Sequence, residues 1–249
     1  MTDLLQSVHD IALRIVGMAM WLAPVGVACL MFGVASRFGF DVVRLLGWFV
    51  AVVTAALLLH VFGVLLPAAW ITTSLAPMVF LSRCRTALVT AFSTSSSGAT
   101  LPTAIDVAER QLGIPAAIAG FVLPLGSVLC MNGTALFQAV TVITLAQALG
   151  VPLNAAQMVA LVAVCSVTSV AATGVPGGAI PTLIAVLMMF GLPGEAIALV
   201  LGVDRLIDML RTTVNVAGTL VITAIIARHD GIWNVAMVPQ VERGRLAHA

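Results

Sequence analysis

The charge-free stretch from Gln111 to Gly194 restricts the possible folds of this chain more than any other feature. It contains no Asp, Glu, Lys or Arg, and a second stretch, Leu45 to Ser82, lacks them as well. About 20 consecutive apolar residues are enough to cross the hydrocarbon core of a bilayer. Charged residues make up 8% of the 249 positions, whereas a soluble domain has about 25%. The mean hydropathy of +1.16 agrees, and the sequence predicts an all-α polytopic membrane protein, surrounded by membrane lipid.

Charge and cysteine usage exclude several other classes. The net charge is +1 and no basic tract is present, so we expect no nucleic acid partner. The four cysteines are too scattered for a disulfide framework or a zinc site, and we expect single buried thiols. These cysteines are Cys29, Cys84, Cys130 and Cys165.

Three of the apolar regions are interrupted by Gly, Pro and polar residues. Two uninterrupted spans are predicted at 11–35 and 42–66, and the interruptions follow at Ser93–Pro102, Cys130–Thr134 and Thr173–Pro181. A broken helix frees backbone groups that need partners inside the protein or in a wet cavity. Each break could be an ordinary loop, but the flanking apolar pieces are short for complete crossings. The pattern therefore favours re-entrant hairpins and a broken helix around a shared cavity.

Arginine distribution predicts the orientation. The region 67–112 and the C-terminal tail, 228–249, carry more arginines than the connection that holds Arg37 and Arg44. The positive-inside rule places the richer side, including the tail, in the cytoplasm. We expect a multi-pass protein of a cell inner membrane.

The stretch "GVDRLIDMLRTTVNVAG", from Gly202 to Gly218, places charges inside an apolar helix. Six polar side chains fall within an arc of about 100° on this helix. Ionisable side chains in a membrane normally face a partner or a wet cavity. One interpretation is a structural ion pair between Asp208 and Arg211; the other is a zwitterionic ligand, whose carboxylate suits Arg and whose ammonium suits Asp. The six residues are Asp204, Asp208, Arg211, Thr212, Asn215 and Thr219.

Four motifs carry a family resemblance. "STSSSGATLP", "VLPLGSVLCMNGTALFQ", "ATGVPGGAIP" and the charged stretch, in this order, resemble the dicarboxylate/amino acid:cation symporter family, the glutamate and aspartate transporters. The resemblance runs from Trp21 to Arg228 and covers the later part of the family, helices five to eight with both hairpins. It implies two helices in 1–70, the first scaffold-like and the second joining a transport core at 71–227. In that core it implies an inner hairpin (75–111), a broken helix (114–149), an outer hairpin (153–192) and the charged helix (195–227).

The resemblance also implies residue roles. Arg211 would bind a side-chain carboxylate of the substrate, and Asp208 its amino group, with Thr212 beside it. The main carboxylate would bind Asn215, Ser96 and Ser97, while Thr134 would contact the substrate and the tip from Val175 to Ala179 would gate the pocket. Together these roles imply secondary active transport of an acidic amino acid or dicarboxylate by a moving hairpin-bearing domain, without an enzymatic cofactor. Gln138 stands where some animal members have a proton-carrying glutamate, so the resemblance does not imply proton coupling here.

Two departures from the family motifs concern sodium. The family's "NMDGT" reads "CMNGT", with Cys130 and Asn132, and its "NVxGD" ends in Thr219 instead of Asp. Amide and hydroxyl groups are weaker ligands for a hard cation than carboxylates. The sequence therefore predicts that sodium coupling is weakened, replaced or lost. The remnants of the sodium sites would be Gly126, Asn132, Asn215 and Thr219.

The resemblance leaves other interpretations open. Nothing before Trp21 resembles the family's first four helices, which predicts a truncated or split-gene protein that acts as a homotrimer or with a complementing N-terminal polypeptide. The alternative is a non-transporting remnant that retains a binding core, and an anion channel would use the same parts. An intramembrane serine hydrolase would pair Ser95–Ser97 with His60, but no third residue is evident to orient that histidine.

Overall fold

A computed structural model describes residues 44–233 fully. It also describes the backbone of 40–43 and isolated positions between 11 and 36, together with Ala236 and Val238. The predicted span 11–35 and the end of the tail therefore lie largely outside the described residues. The part of the chain that is described forms helices and contains no strand.

The first helical segment is longer than predicted. Helix α1 (Phe40–His60) continues through a π-helical turn (Val61–Leu65) into α2 (Leu66–Thr73), so it ends seven residues after the predicted boundary at 66. Pro67 lies just after the π turn, and because it has no N–H it cannot donate a hydrogen bond to the preceding turn of this continuous helix. The segment ends at Ser74, whose φ of 60° is left-handed.

A first helical pair follows. It consists of α3 (Pro77–Thr94) and α4 (Ser97–Asp106), which continues as a π turn (Val107–Gln111). The break between them is only Ser95 and Ser96, so the predicted interruption at Ser93–Pro102 is too long. Hydroxyl groups in this region donate to carbonyls in the preceding turn of their own helix, as Ser93 Oγ does to Val89 O at 2.8 Å. Such bonds allow serine and threonine to lie inside a helix.

The next two helices are separated by a short non-helical step. Helix α5 (Ala116–Leu129) ends before Cys130 and Met131, and α6 (Asn132–Ala148) begins directly after them. The break is thus narrower than the predicted Cys130–Thr134, because Asn132 to Thr134 already belong to the first turn of α6.

A second helical pair consists of α7 (Ala155–Ser169) and α8 (Ile180–Met189), joined by turns at 170–179. Asn154 and Gln157 form a capping box that fixes the start of α7. A 3₁₀ turn (Gly194–Ile197) then leads into the long helix α9 (Ala198–His229).

Helix α9 lies at the centre of the fold. It packs against α1, α2, α3, α4, α5 and α6, and most of its residues are buried. Among the described residues, three helical stretches are long and apolar enough to cross a membrane: Arg44–Thr73, Ala116–Ala148 and Gly194–His229. The chain is accordingly built as a multi-pass membrane protein.

The cysteines are free thiols. Cys84 and Cys165 are buried and Cys130 is partly buried, in line with isolated thiols. Cys29 is exposed, so the expectation of burial is wrong for that residue.

Candidate functional site

The polar stripe of α9 is buried along its whole length. The least exposed of these side chains point towards the helical pairs and the break between α5 and α6, and even Asp204 at one end is only 9% exposed. Burial of two carboxylates and one guanidinium requires that they be paired or hydrogen-bonded. The buried members are Asp204, Asp208, Arg211, Thr212, Asn215 and Thr219.

Arg211 is the electrostatic centre of the stripe. Its Nη2 donates to Asp208 Oδ1 at 2.7 Å, which is the ion pair that the i, i+3 spacing predicts. Its Nη1 lies 3.9 Å from Asp204 Oδ1 and has no hydrogen-bond partner although it is buried. The ring of Phe137, on α6, lies 4.8 Å from the guanidinium carbon and stacks as a cation–π partner. A buried guanidinium with one free donor is equipped to bind a carboxylate.

The tip of the second helical pair covers the stripe. The backbone N–H of Gly177 donates to Asp208 Oδ2 at 3.0 Å, and Gly177 has a φ of 73° that favours glycine. Ala179 is buried, whereas Val175 is 45% exposed. Within the predicted gate, the described contact with the stripe is therefore made by the backbone of Gly177.

The tips of the two helical pairs also contact each other. Ser96 Oγ donates to Gly174 O at 2.8 Å and accepts the N–H of Ala99, so it caps α4 as well. Ser97 is buried, and its Cβ lies against Gly174. The predicted serines of the first pair and the predicted tip of the second pair are thus brought together.

Asn215 connects the stripe to the start of α6. Its Oδ1 accepts the N–H groups of Gly133 at 2.8 Å and Thr134 at 3.3 Å, and its Nδ2 donates to Thr134 Oγ1 at 3.0 Å. A Cβ on Gly133 would lie 2.6 Å from Arg211 O, so the close approach of the two helices requires glycine.

The four predicted sodium-site remnants lie around the break between α5 and α6. Thr219 Oγ1 is 3.3 Å from Gly126 O and 3.0 Å from Asn215 O. Asn132 Nδ2 is 3.0 Å from His60 Nε2, while its Oδ1 accepts the N–H of Gly133. Within the described part of the chain, no three His, Cys, Asp or Glu side chains are grouped as metal ligands.

Two residues have contacts at the site that the sequence did not predict. Phe137 gives no sequence signal because an apolar residue is ordinary in such a helix. Gln138 is fully buried and connects α6 to both arms of the second pair, which its sequence position alone does not reveal.

The family model named "Sodium:dicarboxylate symporter family" matches residues 1–229. The chain belongs to this family. The match begins at residue 1, so the predicted start of the resemblance at Trp21 is too late. Excitatory amino acid transporter 2 of Homo sapiens is 37% identical over 221 residues, covering 88% of this chain and 38% of the relative. The proton/sodium-glutamate symport protein of Bacillus subtilis (strain 168) is 34% identical over 239 residues, covering 95% of this chain and 54% of the relative.

The chain thus spans about two fifths of the length of its animal relatives, as the 40% covered of mouse excitatory amino acid transporter 4 also illustrates. These relatives are transporters by name, and the family is one of transporters rather than enzymes. The structure does not support the hydrolase interpretation, which needs His60 beside Ser95–Ser97, because His60 is hydrogen-bonded to Asn132 instead.

Proposed function

We propose that this chain contributes to secondary active transport of a small acidic amino acid or dicarboxylate. The observation that carries the proposal is Arg211, buried beside Asp208 beneath the tip of the second helical pair, with its Nη1 donor free of hydrogen bonds. A purely structural ion pair needs no free donor. Relatives named as glutamate symport and excitatory amino acid transport proteins support the same substrate class.

Each proposed contact follows from the chemistry of one side chain. The guanidinium of Arg211 binds a carboxylate of the substrate, and Asp208 binds its ammonium group. The second carboxylate is held by Ser96, Ser97 and Asn215. Thr134 and Thr212 complete the pocket beside them, and Val175 to Ala179 form the gate. In this proposal both helical pairs are re-entrant hairpins, and the domain that carries them moves the substrate across the membrane.

Cation coupling is altered in this proposal. The Gly126 carbonyl faces the Thr219 hydroxyl, and the Asn132 amide faces His60. Gly218 on α9 lies beside Asn132. The nearest carboxylate along α9 is that of Asp208, about 15 Å from Gly218 along the helix axis. The oxygen set at the break therefore fits Na⁺ less well than one with carboxylates.

Assembly is the second part of the proposal. The chain would act as a homotrimer or with a complementing N-terminal polypeptide, and such a polypeptide would supply segments that correspond to the remaining length of the relatives. A non-transporting remnant is the alternative, and the replaced cation ligands favour it.

Ligand binding and uptake separate these possibilities. We expect the purified chain in nanodiscs to bind L-aspartate, L-glutamate or succinate in calorimetry. Arg211→Ala should weaken binding about 10- to 100-fold, because hydrogen bonds to a charged group contribute about 1.5–3 kcal/mol. Arg228→Ala, an exposed position on the same helix, is the matched control.

Uptake into proteoliposomes, with and without Na⁺, completes the test. Uptake that is insensitive to Na⁺ supports the altered coupling, and a steep, saturable Na⁺ requirement contradicts it. Binding without uptake identifies the remnant. A wild-type chain that binds none of the three ligands refutes the proposed function.

A further inference from the structure

A groove of about 460 Å³ runs between the first turns of α1 and the last turns of α6. Leu45, Phe49 and Val52 line it from α1, and Ile143 and Thr144 line it from α6. Both walls belong to helical stretches that are long and apolar enough to cross a membrane. None of the described residues that line the groove belongs to the α9 stripe or to the tips of the helical pairs, so it is separate from the site described above.

The surface of the groove suits a hydrocarbon chain. Its described lining is mainly aliphatic and aromatic, and the hydroxyl of Thr144 already donates to Val140 O in its own helix at 2.8 Å. From Leu45 to Val52 the groove follows α1 for about 10 Å. It is open on one side, since Trp48 and Val52 are exposed. A ligand of this groove is therefore apolar along most of its length.

One end of the groove carries a positive charge. A second cavity, of about 600 Å³, shares Leu45 and Trp48 with the groove and is also lined by Arg44 and Gly47. Arg44 is exposed and is the first residue of its apolar stretch. Within residues 44–233, no carboxylate lies within ion-pair distance of its guanidinium. A Cβ on Gly47 would meet nothing within 4 Å, so there is open space beside this cation.

We propose that the groove binds one anionic phospholipid, with its phosphate at Arg44 and an acyl chain between α1 and α6. A guanidinium can bind a phosphate with two parallel hydrogen bonds, and Trp48 is of the residue type that is enriched at the level of lipid headgroups. A zwitterionic lipid offers the same chain but brings a cation of its own, so charge complementarity favours the anionic headgroup. The inference does not depend on the proposed transport, because the groove and the α9 stripe share no described residue.

Native mass spectrometry of the full chain tests the headgroup. The delipidated protein is given equal amounts of dioleoyl phosphatidylglycerol and dioleoyl phosphatidylcholine, and we expect the wild type to retain one phosphatidylglycerol in preference. Arg44→Gln should lower this preference about fivefold, the effect of one basic residue near an anionic lipid surface. Arg85→Gln, an exposed arginine of α3 outside the groove, is the matched control and should leave it unchanged. An unchanged preference in Arg44→Gln, or an equal loss in Arg85→Gln, overturns the inference.

A second pair of variants tests the acyl chain. Thr144→Trp fills the groove and should lower retention of both lipids, whereas Val128→Trp, at a 55% exposed position of α5, should not. Unchanged retention in Thr144→Trp overturns the inference, as it would if another protein segment covered the groove. If this variant does not fold, the two arginine variants still decide. Displacement of the lipid by glycerol 1-phosphate, which has no acyl chain, identifies a site for free anions and also overturns the inference, while the proposed function stands in every case.

Discussion

At the scale of single residues, α5 and α9 pack closely where Gly126 faces Thr219. A Cβ on Gly126 would lie 2.5 Å from Thr219 Cγ2, but 3.5 Å from Thr219 Cβ and Oγ1. The methyl group of Thr219 is therefore the atom that requires glycine at this position. The hydroxyl of the same threonine faces the Gly126 carbonyl at 3.3 Å.

We therefore predict that Gly126→Ala destabilises the protein and that Thr219→Ser restores it. Overpacking of this kind costs about 1–3 kcal/mol, and serine lacks the clashing methyl group while retaining the hydroxyl. The measurement is the free energy of unfolding in SDS titrations of detergent-solubilised protein, for both single variants and the double variant.

Gly120→Ala is the control, because nothing lies within 4 Å of a Cβ at that position of α5. If Gly126→Ala is equally destabilising with threonine and with serine at position 219, the methyl contact is not the cause.

At the scale of elements, one side chain joins the second helical pair to α6. Gln138 Nε2 donates to Thr182 Oγ1 on α8 at 2.8 Å, and Gln138 Oε1 accepts from Thr168 Oγ1 on α7 at 3.2 Å. Gln138 is fully buried, and its two threonine partners are partly buried. Both arms of the pair are thus held to the same residue of α6.

Replacement of this residue should loosen the second pair as a unit. In Gln138→Leu the hydroxyls of Thr168 and Thr182 lose their bonds to α6, and we expect faster hydrogen–deuterium exchange at the backbone amides of 170–179. Gln147→Leu, an exposed position on the same helix, should leave exchange at the tip unchanged. Equal exchange in both variants would show that Gln138 does not hold the pair.

Local sequence patterns predicted these elements unevenly. The period of the α9 stripe follows from helix geometry alone, and the buried face agrees with it from Asp204 to Thr219. For the Ser-rich stretch, the predicted start of the break was wrong. Ser93 and Thr94 still belong to α3, where their hydroxyls bond carbonyls of their own helix. The two bonds of Gln138 depend on residues 30 and 44 positions away, which no local pattern contains.

At the scale of the whole molecule, the end of α9 is joined to the first helical pair. Trp233 is 1% exposed, and its Nε1 donates to Leu112 O at 2.8 Å. Leu112 directly follows the π turn that ends this pair. Since α9 also packs against α3 and α4, the charged helix and the first pair are connected at several points along their length.

We predict that Trp233→Phe lowers the free energy of unfolding by about 1–3 kcal/mol, because it leaves the buried Leu112 carbonyl without its donor. The smaller phenyl ring also leaves part of the buried volume unfilled, which adds to the loss. SDS titration of the purified protein measures the difference. Trp70→Phe, at a 57% exposed position, is expected to have no effect, and a loss of equal size there would contradict the assignment.

For the site as a whole, the sequence predicted which residues take part but not how their side chains are arranged. The family motifs name Asp208, Arg211 and Asn215, but they do not give the distance of 3.9 Å from Arg211 to Asp204 or the free Nη1. Both depend on side-chain positions that the packing of α6 against α9 determines. Phe137 is the clearest example, because its importance arises only from lying beside Arg211.

The hydrogen bond between Ser96 and Gly174 joins the tips of both helical pairs. If the two pairs were the re-entrant hairpins of the proposed transport, withdrawal of either tip would have to break this same bond. Its strength would then be a barrier common to release on either face of the membrane. A change in that strength would alter the turnover number, but the direction of net flux would still be set by gradients alone.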